Sequence, residues 1–167
     1  MKKLKFTWPI FWFLIFPLFA CADNEKIYNL KISKTINVEL HEKNIKSGTT
    51  TKNLPNGNLI FGATRTPKTY VSKIIFNVNN KLYSLENKYM YNAWGTRPLE
   101  VPNVIKYFDA DCYDNDNCTI RGMFSDAAGS FVAEWKIING KPIRTIITDS
   151  SDILSVFKNN ISPPVFE

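Results

Sequence analysis

The seven residues CYDNDNC, Cys112 to Cys118, bring together two thiols, two carboxylates, two amides and a phenol. Metal binding, redox exchange or a covalent staple could each use that mixture. A calcium loop of the EF-hand type needs oxygen ligands at positions 1, 3 and 5, glycine at 6 and glutamate at 12. Counting from Asp114 puts Cys118 at the fifth position and Thr119 at the sixth; counting from Asp109 puts Tyr113 at the fifth. Zinc would ask for closer cysteines and further Cys or His ligands, yet five residues separate this pair and His41 is the only histidine. A redox centre favours the C-x-x-C spacing. What fits is a disulfide closing a hairpin loop, with Asp and Asn as turn formers that bond their own backbone. So short a loop contributes about 2 kcal/mol on the chain-entropy model. Asp109, Asp111, Asp114 and Asp116 still concentrate charge, which leaves a calcium ion as the alternative. No metal or other cofactor is expected.

Catalytic groupings are sparse. The chain has no G-x-S-x-G, and once Cys112 and Cys118 pair, no free thiol nucleophile remains beyond the export segment. His41 lies among polar residues and reads as solvated. A glycosidase-like pair of carboxylates could be drawn from Glu86, Glu100, Asp126 and Glu134, although Glu134, between Val132 and Lys136, reads as a solvent-face strand residue. No residue is therefore assigned to catalysis. Aromatic residues point elsewhere. Tyr89, Tyr91 and Trp94 immediately precede Gly95-Thr96-Arg97-Pro98, and aromatic and arginine side chains dominate binding hot spots. Tyr89, Tyr91, Trp94 and Arg97 are the candidate binding residues; the competing reading places the rings in the core.

The compartment follows from the N-terminus. Lys2, Lys3 and Lys5 precede an uncharged stretch, Phe6 to Ala22, whose centre is apolar. That is the pattern of a secretory signal over residues 1–22, too short and too proline-interrupted to span a bilayer. Ala20-Cys21-Ala22 offers cleavage before Asp23; Leu18-Phe19-Ala20-Cys21 resembles a lipobox, which would acylate Cys21. Either outcome leaves Cys112 and Cys118 as the one pair in an oxidising compartment. Removing residues 1–22 takes three lysines and no acid, so the net charge falls from +6 to +3. No basic run remains to read as a nucleic-acid footprint.

The elements that must position these residues are mostly strands. Ile36, Val38 and Leu40 alternate with polar residues inside 27–42, and 59–64, 69–78, 81–85 and 88–94 read as further strands. Residues 43–58 read as a loop. Asn79-Asn80 and Asn139-Gly140 are two-residue hairpin turns, the second joining 131–138 to 141–148. Pro142 belongs at a strand start or an edge. Strands at 103–111 and 119–125 flank the cysteine segment. Residues 149–160 form a helix capped by Asp149 or Ser150, with Ile153, Val156, Phe157 and Asn160 on one stripe. The fold class is mainly β (α+β): an antiparallel meander forming a barrel or sandwich, with one C-terminal helix packed on it. Residues 23–167 form a single exported β-rich domain in this reading.

The function expected is that of a periplasmic or secreted protein-binding module without catalysis, such as an inhibitor or an effector-immunity protein. Its partner is another protein, not nucleic acid, and it meets a membrane only if Cys21 is lipidated. A cell-wall or glycan hydrolase and an outer-membrane-anchored structural lipoprotein are the alternatives. Intact-mass measurement of the exported protein is expected to give a chain beginning at Asp23; an acylated chain beginning at Cys21 would reverse this and place it on a membrane surface.

Overall fold

The computed structural model describes residues 25–62, 65–92, 105–124, 129–160 and 165–166. Residues 1–22, expected from the sequence to be an export signal, lie outside the described residues. Among the described residues no helix is long and apolar enough to cross a membrane.

Two antiparallel sheets form. The first contains β1 (Glu25–Lys31), β2 (Ile36–Asn44), β3 (Thr69–Val78), β4 (Lys81–Leu85), β5 (Tyr91–Asn92) and β10 (Val165–Phe166). Its order is β10-β1-β2-β3-β4, with β5 also pairing with β3. The second contains β6 (Ile105–Asp114), β7 (Asn117–Phe124), β8 (Phe131–Ile138) and β9 (Lys141–Thr148), in that order. The sheets keep open edges, so of the two expected arrangements it is the sandwich-like one that fits. One helix, α1 (Ser151–Asn160), follows β9.

Both asparagine-rich turns form as their chemistry requires. Asn79 and Asn80 have φ of 49° and 66°, and Asn139 and Gly140 have 49° and 74°. Two consecutive positive φ angles give the turn whose twist matches paired strands, and Asn and Gly tolerate that region. The first turn sets a register that pairs Phe76 with Tyr83 and Ile74 with Leu85, all buried. Pro142 is the second residue of β9, an edge strand, where a missing N–H is tolerated.

Several local readings change. The 27–42 stretch is two strands, because the chain reverses where Ile32 N–H and Ser33 N–H both donate to Ile36 O. Residues 59–62 form no strand; Gly62 takes φ 83° and donates its N–H to the Asp149 carboxylate. The 88–94 strand contracts to Tyr91–Asn92 within the described residues, since Tyr89 sits at φ 67° and donates its N–H to Asn56 O. The cysteines lie within paired strands rather than at the ends of a loop. Cys112 and Cys118 are direct cross-strand partners with Cα atoms 4.0 Å apart, and the turn proper is Asn115-Asp116.

The core lies between the sheets. Leu30, Val38, Leu40, Ile74 and Phe76 from the first sheet meet Phe108, Ile120, Phe124 and Trp135 from the second. Trp135 stacks on Phe108 with centroids 6.2 Å apart and meets the edge of Phe124 at 6.4 Å. Gly122 makes room for these rings: a Cβ there would lie 2.9 Å from atoms of both Phe108 and Phe124. On the outer face of the second sheet, α1 lands with Phe157 and Leu154 against Met123 and Val132. Leu154 N–H donates to Ser150 O in the first turn, whereas the Asp149 side chain is engaged by Gly62. Only Phe157 of the expected apolar stripe is buried; Ile153 and Val156 face solvent.

Replacing both Cys112 and Cys118 with serine is expected to lower unfolding free energy by about 2 kcal/mol. Alkylation of unreduced protein is expected to label neither sulfur; two freely labelled thiols would refute the bond.

Candidate binding groove

Of the acidic residues in the cysteine hairpin, Asp114 shapes its own turn and Asp116 joins that turn to others. Asp114 accepts the Asp116 N–H at 2.7 Å and the Asn117 side-chain amide at 3.0 Å, an Asx-type turn. Asp116 forms an ion pair with Lys81 and accepts the Tyr83 hydroxyl at 2.7 Å. These partners hold its carboxyl below the usual carboxylate range. Asn115 accepts the same hydroxyl on its carbonyl and the Asn79 amide on its side chain, each at 2.7 Å. Gly140 N–H donates to Asp116 O at 2.9 Å. Three hairpin turns from both sheets thus meet at one clasp. Among the described residues no three His, Cys, Asp or Glu side chains are grouped to hold a metal.

The residues singled out for binding divide. Tyr91 is 2% exposed. Its hydroxyl donates to Gly57 O at 2.8 Å and accepts the Asn56 N–H at 2.7 Å, so it holds the 54–57 turn and offers no face to a partner. Burial pushes its ionisation up to about 12. Tyr89 is half-buried over Gly57, where a Cβ would come within 2.3 Å of its ring. Trp94 and Arg97 lie outside the described residues, as do Glu100 and Asp126.

His41, expected in solvent, is buried on the outer face of the first sheet between Glu39, 2.5 Å from Nε2, and Glu25, 3.3 Å from Nδ1. Ser72 donates its hydroxyl to Glu25 at 2.9 Å. The carboxylate therefore stands between serine and histidine, so the imidazole does not address the hydroxyl. Glu86 is paired with Arg144 at 2.8 Å.

Among the described residues, a concave feature with apolar walls and both an acid and a cation at its base lies between α1 and the second sheet. It is a groove of about 540 Å³. Ile146 forms one wall; Ile153, Val156 and Phe157 form the other; Arg121 and Glu134 make the floor. Strand alternation places Trp135 inward and Glu134 outward. Glu134 is nevertheless only 7% exposed, because α1 lands beside it, which corrects the solvent-face reading. Two groups satisfy it. Arg121 Nε donates at 2.8 Å to one oxygen and Thr145 Oγ1 donates at 2.8 Å to the other. Thr145 is available because a bulge at Glu134/Trp135 gives β9 an extra residue there, and a bulge re-aims a side chain in this way. Comparison with protein-family models, curated proteins and solved structures finds no match to this chain.

Burial alone would raise the Glu134 ionisation, but the bonds from Arg121 and Thr145 outweigh it and the carboxyl sits below its ordinary 4.5. A general acid needs the opposite displacement. Neither Arg121 nor the bulge was legible as a site in the sequence; the only local signal was a carboxylate at an outward position between Val132 and Lys136.

A lowered folded-state value means that Glu134 contributes stability above about pH 4.5, and that this is lost as pH falls through the lower folded value. Glu134→Gln is expected to cost about 2 kcal/mol near neutral pH and to flatten the acid side of the melting-temperature profile. An acid limb as steep as that of the unaltered protein would contradict the pairing.

Proposed function

We propose that this chain is an exported protein-binding module without catalysis of its own, in the manner of an inhibitor or effector-immunity protein, and that it receives its partner in the groove beside α1. The supporting observation is the outward placement of aliphatic side chains where the helix could have buried them: Val156 is 55% exposed, next to Ile153 at the groove wall. Ile143 and Ile138 extend the apolar surface along β9 and β8. Grouped apolar surface of this kind is characteristic of interaction sites. A disulfide is compatible with the oxidising location that export through residues 1–22 would give. Trp94 and Arg97 remain anchors in this reading, while Tyr89 and Tyr91 act by holding the neighbouring turn.

A photo-cross-linking residue placed at Val156 in the producing cell is expected to form an adduct with a discrete protein partner. The same residue at Ser84, exposed on the first sheet, is expected to form none. Absence of an adduct at Val156, or the same adduct at both positions, would remove the groove from the function.

A further inference from the structure

The outer face of the second sheet is banded. Register places Asp109, Arg121, Glu134 and Ile146 in one row across β6 to β9, and Asp111, Thr119, Lys136 and Ile143 in the next. Read along the strands, β6 carries acids, β7 and β8 carry the cations, and β9 carries branched aliphatics. The charges are unequally engaged. Glu134 is satisfied by Arg121 Nε and Thr145. Arg121 uses only that nitrogen among the described residues, so both Nη groups keep their donors, and its side chain is 43% exposed. Lys136 is exposed and makes no ion pair among the described residues. Asp109, opposite Arg121, accepts the Ala110 N–H at 2.9 Å. Donors for a carboxylate therefore stand between an acidic edge and an aliphatic groove.

Resting on the binding function proposed above, we infer that the groove takes an acidic–aliphatic segment of a partner protein. A branched or long aliphatic side chain enters between Ile146 and Val156, and a neighbouring carboxylate meets Arg121 Nη and Lys136. Side chains two apart on an extended segment share a face and lie roughly 6.6 Å apart, so one such pair can reach both bands. Asp109 and Asp111 repel a carboxylate carried one strand too far, which fixes register by disfavouring the displaced arrangement. The same acidic edge, and the concavity of the groove, disfavour a flat anionic membrane.

Two peptides of equal apolar content test this: acetyl-Glu-Leu-Val-Leu-Glu-amide and acetyl-Lys-Leu-Val-Leu-Lys-amide. Each is titrated into the ¹⁵N-labelled exported protein, following the amides of Lys136, Ile146 and Val156. The acidic peptide is expected to bind about tenfold tighter, from two partly exposed charge pairs formed in one case and opposed in the other. Added salt is expected to shrink that ratio, and Lys136→Glu to reverse its sign. Equal affinities, or binding of neither peptide at these amides, would overturn the inference; a cross-link at Val156 alongside either result would leave the groove's binding role standing. Stronger perturbation of the same amides by phosphatidylglycerol vesicles than by the acidic peptide would overturn it in favour of a membrane surface.

Discussion

Trp135 must be buried on both ring faces while its indole N–H still finds an acceptor. It has no exposed surface, stacks on Phe108, meets Phe124 edge-on and donates to Glu86 O at 2.8 Å. Truncating a side chain so placed typically costs about 3–5 kcal/mol. The constraint propagates in two directions. Across the core, the bond to Glu86 fixes where the first sheet's chain continues after β4, and Arg144 holds the same stretch through Lys88 O. Along β8, an inward Trp135 requires outward Glu134 and Lys136. The Glu134 of the groove's floor and the exposed Lys136 along the same strand are therefore consequences of the core.

The polar residues follow a second constraint: a charge removed from water needs partners. Glu134, the buried one, is met by Arg121 and Thr145, and Asp116 and Glu25, which keep contact with solvent, are each still met by a hydroxyl donor from another strand. These contacts are intersheet at the clasp and interstrand on the two outer faces. Charged residues that look free in a linear reading are thus engaged in holding registers. Beside α1 on the second sheet, Lys136, the Arg121 Nη groups and the aliphatics of α1 and β9 present chemistry outward, and it is on them that the proposed recognition rests.

The hairpin turns were legible because their determinants are local. Asn79-Asn80 and Asn139-Gly140 specify positive φ by steric tolerance within the turn itself. Period-two alternation identified Val38 and Leu40, and the spacing of Cys112 and Cys118 specified their bond once other chemistries failed. Less legible was how far strands extend. The 88–94 run had strand composition, yet Asn56 and Gly57, more than thirty residues earlier, fold over Tyr89 and Tyr91 and delay the strand's start to Tyr91.

By itself, then, the sequence determined the antiparallel β architecture, both asparagine turns, the disulfide pairing and the span of the C-terminal helix. Each depends on steric preferences, periodicity or covalent reach that operate within a few residues. Only the tertiary structure decided that Glu134 is buried, that Tyr91 clamps a turn and that Val156 stays in solvent. Those outcomes depend on where α1 and the 54–57 turn land. Landing sites are set by which distant faces bury apolar surface and satisfy polar atoms together, and no local pattern encodes that.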